Sequence, residues 1–175
     1  MSQRGQNFKD RLHVQRFENA AYFAGALFQG IFQQPFPNPP PEASPSWAQY
    51  VAFFRWDEEQ IEPVGFCNFL PYDNLWLEGG LCVRRNFYAR LPRGLSEECR
   101  ATGGVAQLIM EAAAKELDDC TAWFAYVGDP QSLKVCTRCG YEATNRKHVI
   151  AKWFRECSPE DKSALIERVA ALGPF

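Results

Sequence analysis

No stretch of this chain approaches the roughly 20 uncharged apolar residues that a helix needs to cross a bilayer. The opening segment, MSQRGQNFKDRLHVQRF, also lacks the apolar run of a secretory leader. Charge of one sign is missing too. The 19 Lys and Arg nearly balance 21 Asp and Glu, a formal net charge of −2, which argues against an electrostatic footprint for nucleic acid or an anionic membrane. Histidine is scarce, with only His13 and His148, far apart in sequence. No second Cys-x-x-Cys accompanies Cys136-Thr137-Arg138-Cys139, and a structural zinc site wants four ligands, so no metal is expected. Gly-x-Gly-x-x-Gly and Gly-Lys-Ser/Thr are both absent, so neither a Rossmann dinucleotide turn nor a P-loop is supported.

What is present is a core. Hydrophobic residues make up 46% and aromatics 14% of 175 residues, the size of one domain spanning 1–175. A chain of this length buries about 70% of its unfolded surface without staples. Seven cysteines, an odd number with nothing directing the chain to secretion, read as reduced thiols in a cytoplasmic protein.

Along the chain, residues 13–17 suit a first strand, and Glu18 or Asn19 opens an apolar helix, AAYFAGALFQGIF. Six of the twelve prolines then fall between Pro35 and Pro45, which forbids regular hydrogen-bonded structure. That stretch is either an irregular surface loop or one that shapes a substrate mouth. Three β-rich runs follow at 47–56, 64–70 and 75–83, with connections short enough for an antiparallel meander. After an Arg-rich insert at 84–102, Val105, Leu108, Ile109, Ala112, Ala113 and Leu117 recur at helical spacing, with Glu111 and Lys115 as an outward i,i+4 pair. Residues 121–127 read as a buried strand, 131–140 as a short helix and 149–154 as a last strand. A final helix over 158–172 has Ser158 as N-cap and Pro159 at its first position; it is expected to pack or to pair with a second copy. The fold class is therefore mixed α/β: one central, mostly antiparallel sheet flanked by helices.

Gly103-Gly104 stands where a strand passes into a helix. Unpaired N–H groups and a partial positive charge make a helix N-terminus suited to phosphate. A plain tight turn explains the same residues. Strand order, "EGGLCV" on the fourth strand, "GGVAQLIMEAA" opening the helix, and "DPQSLKVCTRCGY" after the fifth strand together resemble the GNAT acyltransferase superfamily over roughly residues 13–155. That family's pyrophosphate turn is Gln/Arg-x-x-Gly-x-Gly/Ala. With Gly104 as first glycine, Ala106 fits the last place and Ala101 departs from the pattern; with Gly103 first, Arg100 fits and Val105 departs. The insert before the turn is longer than the family's usual loop. The later motif resembles Asn-x-x-Ala-x-x-Leu-Tyr-x-Lys-x-Gly-Phe. Asp129, Ser132, Val135, Cys136, Arg138, Gly140 and Tyr141 take its places in order, so the Cys-x-x-Cys lies on a helix that flanks the pantetheine arm.

The resemblance implies acyl transfer from acetyl-CoA to a primary amine of a small molecule or peptide. It also implies a cofactor grip by Leu81, Cys82, Val83, Arg100, Thr102, Gly103, Gly104, Val105, Ala106, Asp129, Ser132 and Arg138. An alkyl amine has a pKa of about 10.4 and must lose a proton before it attacks. Glu78 on the fourth strand is the candidate base; a residue at a strand edge in a surface pair is its plainer reading. Which face Glu78 takes is open, because Gly79-Gly80 invites a bulge. The departing thiolate wants an acid, and Cys136 replaces the usual Tyr. Tyr126 and Tyr141 are further candidates, with core packing as their plainer role. Arg84, Arg85, Arg90, Arg93 and Arg100 either meet the nucleotide's phosphates or line a solvated loop. Tyr22, Phe23, Phe28, Phe32 and Phe36 border the acceptor side or are simple core. A non-catalytic CoA-binding domain on the same fold is the competing reading, and a Cys-x-x-Cys redox protein the third.

Overall fold

Alternating side chains assign the sheet its two faces. Along β2 (Ala48–Arg55), Tyr50, Ala52 and Phe54 enter one apolar cluster and Val51 and Phe53 another, the period-2 pattern of a strand covered on both sides. The computed structural model describes residues 7–20, 23 and 47–175. The expected helix through 32, the proline-rich stretch, and Tyr22, Phe28, Phe32 and Phe36 lie outside the described residues. Phe23 is described, and its ring packs 5.4 Å from Phe17 and 5.3 Å from Phe53, which is core.

Seven strands line up in the order β1-β2-β3-β4-β5-β7-β6. β1 (Leu12–Phe17), β2, β3 (Ile61–Tyr72) and β4 (Leu75–Val83) form the expected antiparallel meander. β5 (Ala122–Tyr126) lies parallel to β4; β7 (Val149–Trp153) and the two-residue β6 (Glu142–Ala143) complete the sheet antiparallel. On one face sit α1 (Phe8–Arg11), α2 (Phe87–Arg90), α3 (Arg93–Ala101), α4 (Val105–Ala114) and α5 (Pro130–Arg138). The opposite face takes α6 (Pro159–Ala170), whose Val169 packs among Leu75, Leu77, Phe124 and Val149. Its Ser158 cap accepts from the Asp161 N–H at 3.1 Å.

The Arg-rich insert folds into α2 and α3, a structure its polar composition did not announce. Phe87 is the anchor. Its ring lies 5.2 Å from Phe54, 5.8 Å from Trp56 and 6.4 Å from Phe8. Around it, Glu62 receives Arg84 at 3.0 Å, Arg90 at 2.8 Å and the Trp56 Nε1–H at 2.8 Å, while the Arg90 guanidinium lies 4.4 Å over the Trp56 ring. These partners hold the Glu62 carboxyl below its usual range even though burial alone pushes it up. Arg84 and Arg90 thus pair with Glu62 and Arg93 with Glu97, which for these three favours the loop alternative over the phosphate-facing one. On α4, Glu111 accepts from Gln107 at 2.9 Å, and Lys115 falls at the helix C-cap rather than in the expected pair.

Gly65 fixes how closely α4 approaches the sheet. A Cβ there would come within 2.8 Å of both Ile109 Cδ1 and Val105 Cγ1. Gly65→Ala is expected to cost about 1–3 kcal/mol through overpacking, measured as a lower urea midpoint at unchanged slope. It should also push Val105, and with it the start of α4, away from β4.

Candidate functional site

The site begins where β4 leaves β5. Parallel pairing runs from Leu75↔Ala122 to Glu78↔Ala125 and stops. From Gly79 to Val83, β4 keeps β3 on one side and has no strand on the other among the described residues. The divergence coincides with a bulge: Cys67 and Phe69 on β3 face Leu81 and Glu78 on β4, so Gly79-Gly80 together oppose Asn68 alone. An edge of alternating N–H and C=O groups at Leu81, Cys82 and Val83 suits an extended ligand that carries amides.

Glu78 is the last paired residue before this opening. Its neighbours on either side, Phe69 and Ala125, belong to the cluster under α4 and α5, so its carboxyl points to that face. It is 7% exposed, which removes the strand-edge reading. Burial pushes its pKa up to about 7, against the opposing pull of Tyr141 and Cys136. Cys136 approaches it from α5, with Sγ 3.9 Å from Oε2.

The end of α5 explains why Cys136 and Tyr141 meet there. Gly140 N–H bonds the Thr137 carbonyl at 3.1 Å and Tyr141 N–H bonds the Cys136 carbonyl at 3.0 Å, a Schellman motif with Gly140 at C′. The motif folds Tyr141 back against its own helix and into the core, 6.4 Å from Trp123. The Tyr141 hydroxyl is buried without a hydrogen-bond partner of normal geometry, yet close enough to Glu78 to pull on its pKa. Burial raises the thiol of Cys136 well above its usual value, and the Glu78 charge raises it further. Cys139 is pushed up to about 11, again chiefly by burial.

The start of α4 forms the second half of the site. Gly104 precedes the helix at φ +90°, a conformation a side chain would strain. The Arg138 guanidinium donates to the Gly103 carbonyl at 3.2 Å, so Arg138, Gly103, Gly104, Val105 and Ala106 share one corner. Thr102 donates to the Cys99 carbonyl at 2.8 Å, and Arg100 is exposed on the last turn of α3. Tyr88 was not read from the sequence as a site residue. Its hydroxyl faces the Val105 N–H and would lie 3.3 Å from a Cβ at Gly104. Although 44% of Tyr88 is exposed, burial of its hydroxyl end pushes its pKa up to about 12.

Asp129 and Ser132 are spent at the start of α5. The Asp129 carboxylate accepts the Gln131 and Ser132 N–H groups, both at 2.9 Å; these bonds outweigh burial and hold its pKa low. Tyr126 does not join Glu78. It packs on the opposite face with His148 and Phe175 at 5.5 and 6.4 Å, one residue past the pairing with β4, and does not face the Glu78 carboxyl. On that same face lie two buried amides the sequence reading missed, Gln49 and Asn68, whose side chains meet at 3.5 Å beside the bulge. Nothing in their sequence context marks them, because the register that joins them is tertiary.

No family model matches the sequence, and no curated protein matches it. Solved structures do. The ribosomal-protein-S18-alanine N-acetyltransferase from Escherichia coli superposes with a TM-score of 0.53 at 10% identity, covering 85% of this chain and 97% of its own. The aminoglycoside 6'-N-acetyltransferase from Enterococcus faecium gives 0.53 at 11% identity, with 83% and 98% covered. An aminoglycoside 6'-N-acetyltransferase complexed with coenzyme A gives 0.55 at 11% identity, also with 83% and 98% covered. The chain has the GNAT fold.

The raised Glu78 pKa makes stability depend on pH. Between about 4.5 and 7 the folded protein keeps a proton that the unfolded chain releases, so stability is full below pH 4.5 and falls as pH rises through 7. The loss is on the order of 3 kcal/mol. Melting temperatures of wild type and Glu78→Gln measured from pH 4.5 to 8 should diverge, with the variant gaining relative stability toward pH 8. Parallel curves would remove the buried-carboxyl assignment.

Proposed function

We propose that this chain transfers an acyl group from acetyl-CoA, or a related acyl-CoA, to a primary amine. The observation that carries the reading is the coincidence of three features at one place. The buried carboxyl of Glu78, the open edge of β4 beyond it, and the N-terminus of α4 beside Gly65, which faces Val83, follow one another along the strand. Leu81–Val83 would bond the pantetheine amides and orient the thioester, and the N–H groups of Val105 and Ala106 with Arg138 would take the pyrophosphate. Phosphate oxygens at Val105 require the Tyr88 hydroxyl to swing aside.

The acceptor amine must be neutral to attack. Glu78 serves as the base, directly or through one water, because a carboxyl with a pKa of about 7 is largely ionised just above neutrality and still basic enough to take a proton. The coenzyme A bound in a fold neighbour supports the choice of donor. Nothing in the described residues selects the acceptor.

A second reading, a CoA-binding domain without turnover, draws support from Cys136: at the place where the family pattern has a Tyr, this chain holds a buried thiol with its proton tightly retained.

A thermal melt with millimolar acetyl-CoA, free CoA and ATP tests the cofactor site. Ligand at about 100 times its Kd adds roughly 2.7 kcal/mol, which raises Tm by about 5–10 °C in a chain this size. A shift with both CoA species and none with ATP is expected; no shift with any removes the assignment. CoA thiol release with a panel of amines then separates the two readings. Turnover should rise with pH through about 7 as Glu78 ionises. It should fall by about 10²–10⁴-fold in Glu78→Gln, the usual contribution of a positioned base.

A further inference from the structure

Two buried amides, Gln49 and Asn68, stand beside the β4 bulge on the face opposite the Glu78 carboxyl, and acyl transfer as described leaves both without a role. A chain of hydrogen bonds fixes which way each one points. The Ala20 N–H donates to Gln49 Oε1 at 2.5 Å, so the NH2 end of Gln49 is the one that meets Asn68. Gln49 Nε2 donates to Asn68 Oδ1 at 3.5 Å, which turns the Asn68 NH2 the other way. That NH2 lies across Gly79, where a Cβ would stand 3.2 Å from Asn68 Nδ2. Gly79 is the first β4 residue past the pairing with β5, so the donor reaches the place where the two strands part. Among the described residues no hydrogen bond uses Asn68 Nδ2, although Asn68 is 8% exposed. Nor is it one of the sealed, unpaired side-chain atoms, which among those residues are Arg84 Nε and the Tyr141 hydroxyl. A donor neither bonded nor sealed is open at the mouth of the gap.

The surroundings of this donor decide what it takes. Phe66 precedes Asn68 on the same face, and Val51 and Cys82 pair with Phe66 from either side. Burial pushes the Cys82 thiol up to about 12, so it stays neutral. Across the gap, Tyr126 takes the same face one residue past Ala125 and borders a groove of about 420 Å³. Arg146, Lys147 and Glu167 line that groove, the first and last paired with each other. A carboxylate resting on one neutral N–H over an apolar surface would be a poorly compensated charge, whereas a neutral carbonyl oxygen would be satisfied. We propose that Asn68 determines acceptor specificity: its side-chain NH2 holds a neutral carbonyl oxygen of the acceptor, which favours amines that carry an amide group over plain alkyl amines and over amino acids with a free carboxylate. The inference rests on the acyl-transfer reading and deepens it by naming the acceptor class. Gln49 acts through Asn68 as a positioning residue that keeps the NH2, and not the oxygen, turned to the gap. Gly79 leaves room for it, since a side chain there would also meet Leu70 Cδ1 at 2.4 Å.

The test uses the full chain, saturated with CoA and carrying ¹⁵N-labelled asparagine side chains. The Asn68 NH2 signal is assigned by its loss in Asn68→Leu or, if that variant does not fold, in Asn68→Asp. Glycinamide should move the signal saturably, while ethylamine and glycine leave it in place. A signal that glycinamide does not move, or that ethylamine moves equally, overturns the assignment. In turnover with acetyl-CoA, Asn68→Leu should lower kcat/KM for glycinamide about fivefold, mainly through KM, as expected for one neutral hydrogen bond. Ethylamine should stay within twofold of wild type. Comparing variant with wild type on the same amine cancels the different basicities of the amines. Gln49→Glu offers Asn68 only acceptors and turns its NH2 away from the gap, so it should lose the same preference with Asn68 in place. Equal losses on both amines mark a merely structural role and overturn the proposal. If no amine is turned over by wild type, the transfer reading fails instead, while the NMR titration still reports whether Asn68 holds the carbonyl.

Discussion

The parting of β4 from β5 is the constraint on which the rest of the molecule depends. β4 must stay paired with β3 through Val83, and β5 must pair with β7 through Tyr126↔Val149, so the two parallel strands are pulled to different neighbours. The extra residue at Gly79-Gly80 gives β4 the local twist that lets this happen without breaking the meander. A parallel pair also needs a long crossover, and α2, α3 and α4 supply it between Val83 and Ala122. The opening, the bulge and the helix N-terminus behind Gly104 are therefore three consequences of one topological choice. Glu78 is buried because it stands at the last paired position, where strand and helix still cover it.

The inserted helices matter because of what they bring to the turn. Phe87 secures α2 in the aromatic cluster with Phe8, Phe54 and Trp56, and the Phe8 N–H donates to Glu98 at 2.6 Å, which ties α3 to the start of the chain. Anchored in this way, α2 carries Tyr88 over Gly104. A neutral hydroxyl on a backbone N–H is worth about 1 kcal/mol net, and a charge-assisted bond to an anion roughly twice that. On the acyl-transfer reading, a phosphate oxygen at the Val105 N–H would take the place that the Tyr88 hydroxyl now faces.

Much of this was legible in the sequence. The meander, the crossover helix, β5, α5 and the Ser158 cap announce themselves through periodicity and capping residues, which are local signals. The bulge was legible too, since two adjacent glycines in a strand have few other uses. Three things were not. The fate of the arginines depends on Glu62, an acid more than twenty residues before Arg84, whose role appears only when β3 lies beside the insert. The face taken by Tyr126 follows from its register against Val149, which opposes it to Ala125 and Glu78. Gln49 and Asn68 become a buried pair only through the register of β2 on β3. In each case the missing information was a contact between distant segments, which no local pattern carries.

The Cys-x-x-Cys pair is best understood through the helix that ends on it. A redox dithiol needs a thiolate stabilised by a helix N-terminus or a nearby cation, and these cysteines sit at the other end of α5, where burial keeps both thiols protonated. Cys139 is the C-cap and Cys136 the inward residue of the last turn, whose carbonyl the Tyr141 N–H closes. The resembling pattern has a phenol where Cys136 stands and a plain phenyl ring where Tyr141 stands, so here the hydroxyl sits at the second position past the cap and a small thiol at 136. The exchange leaves the carboxyl with two donors of different acidity, a property that follows from how α5 ends and not from the Cys-x-x-Cys spacing.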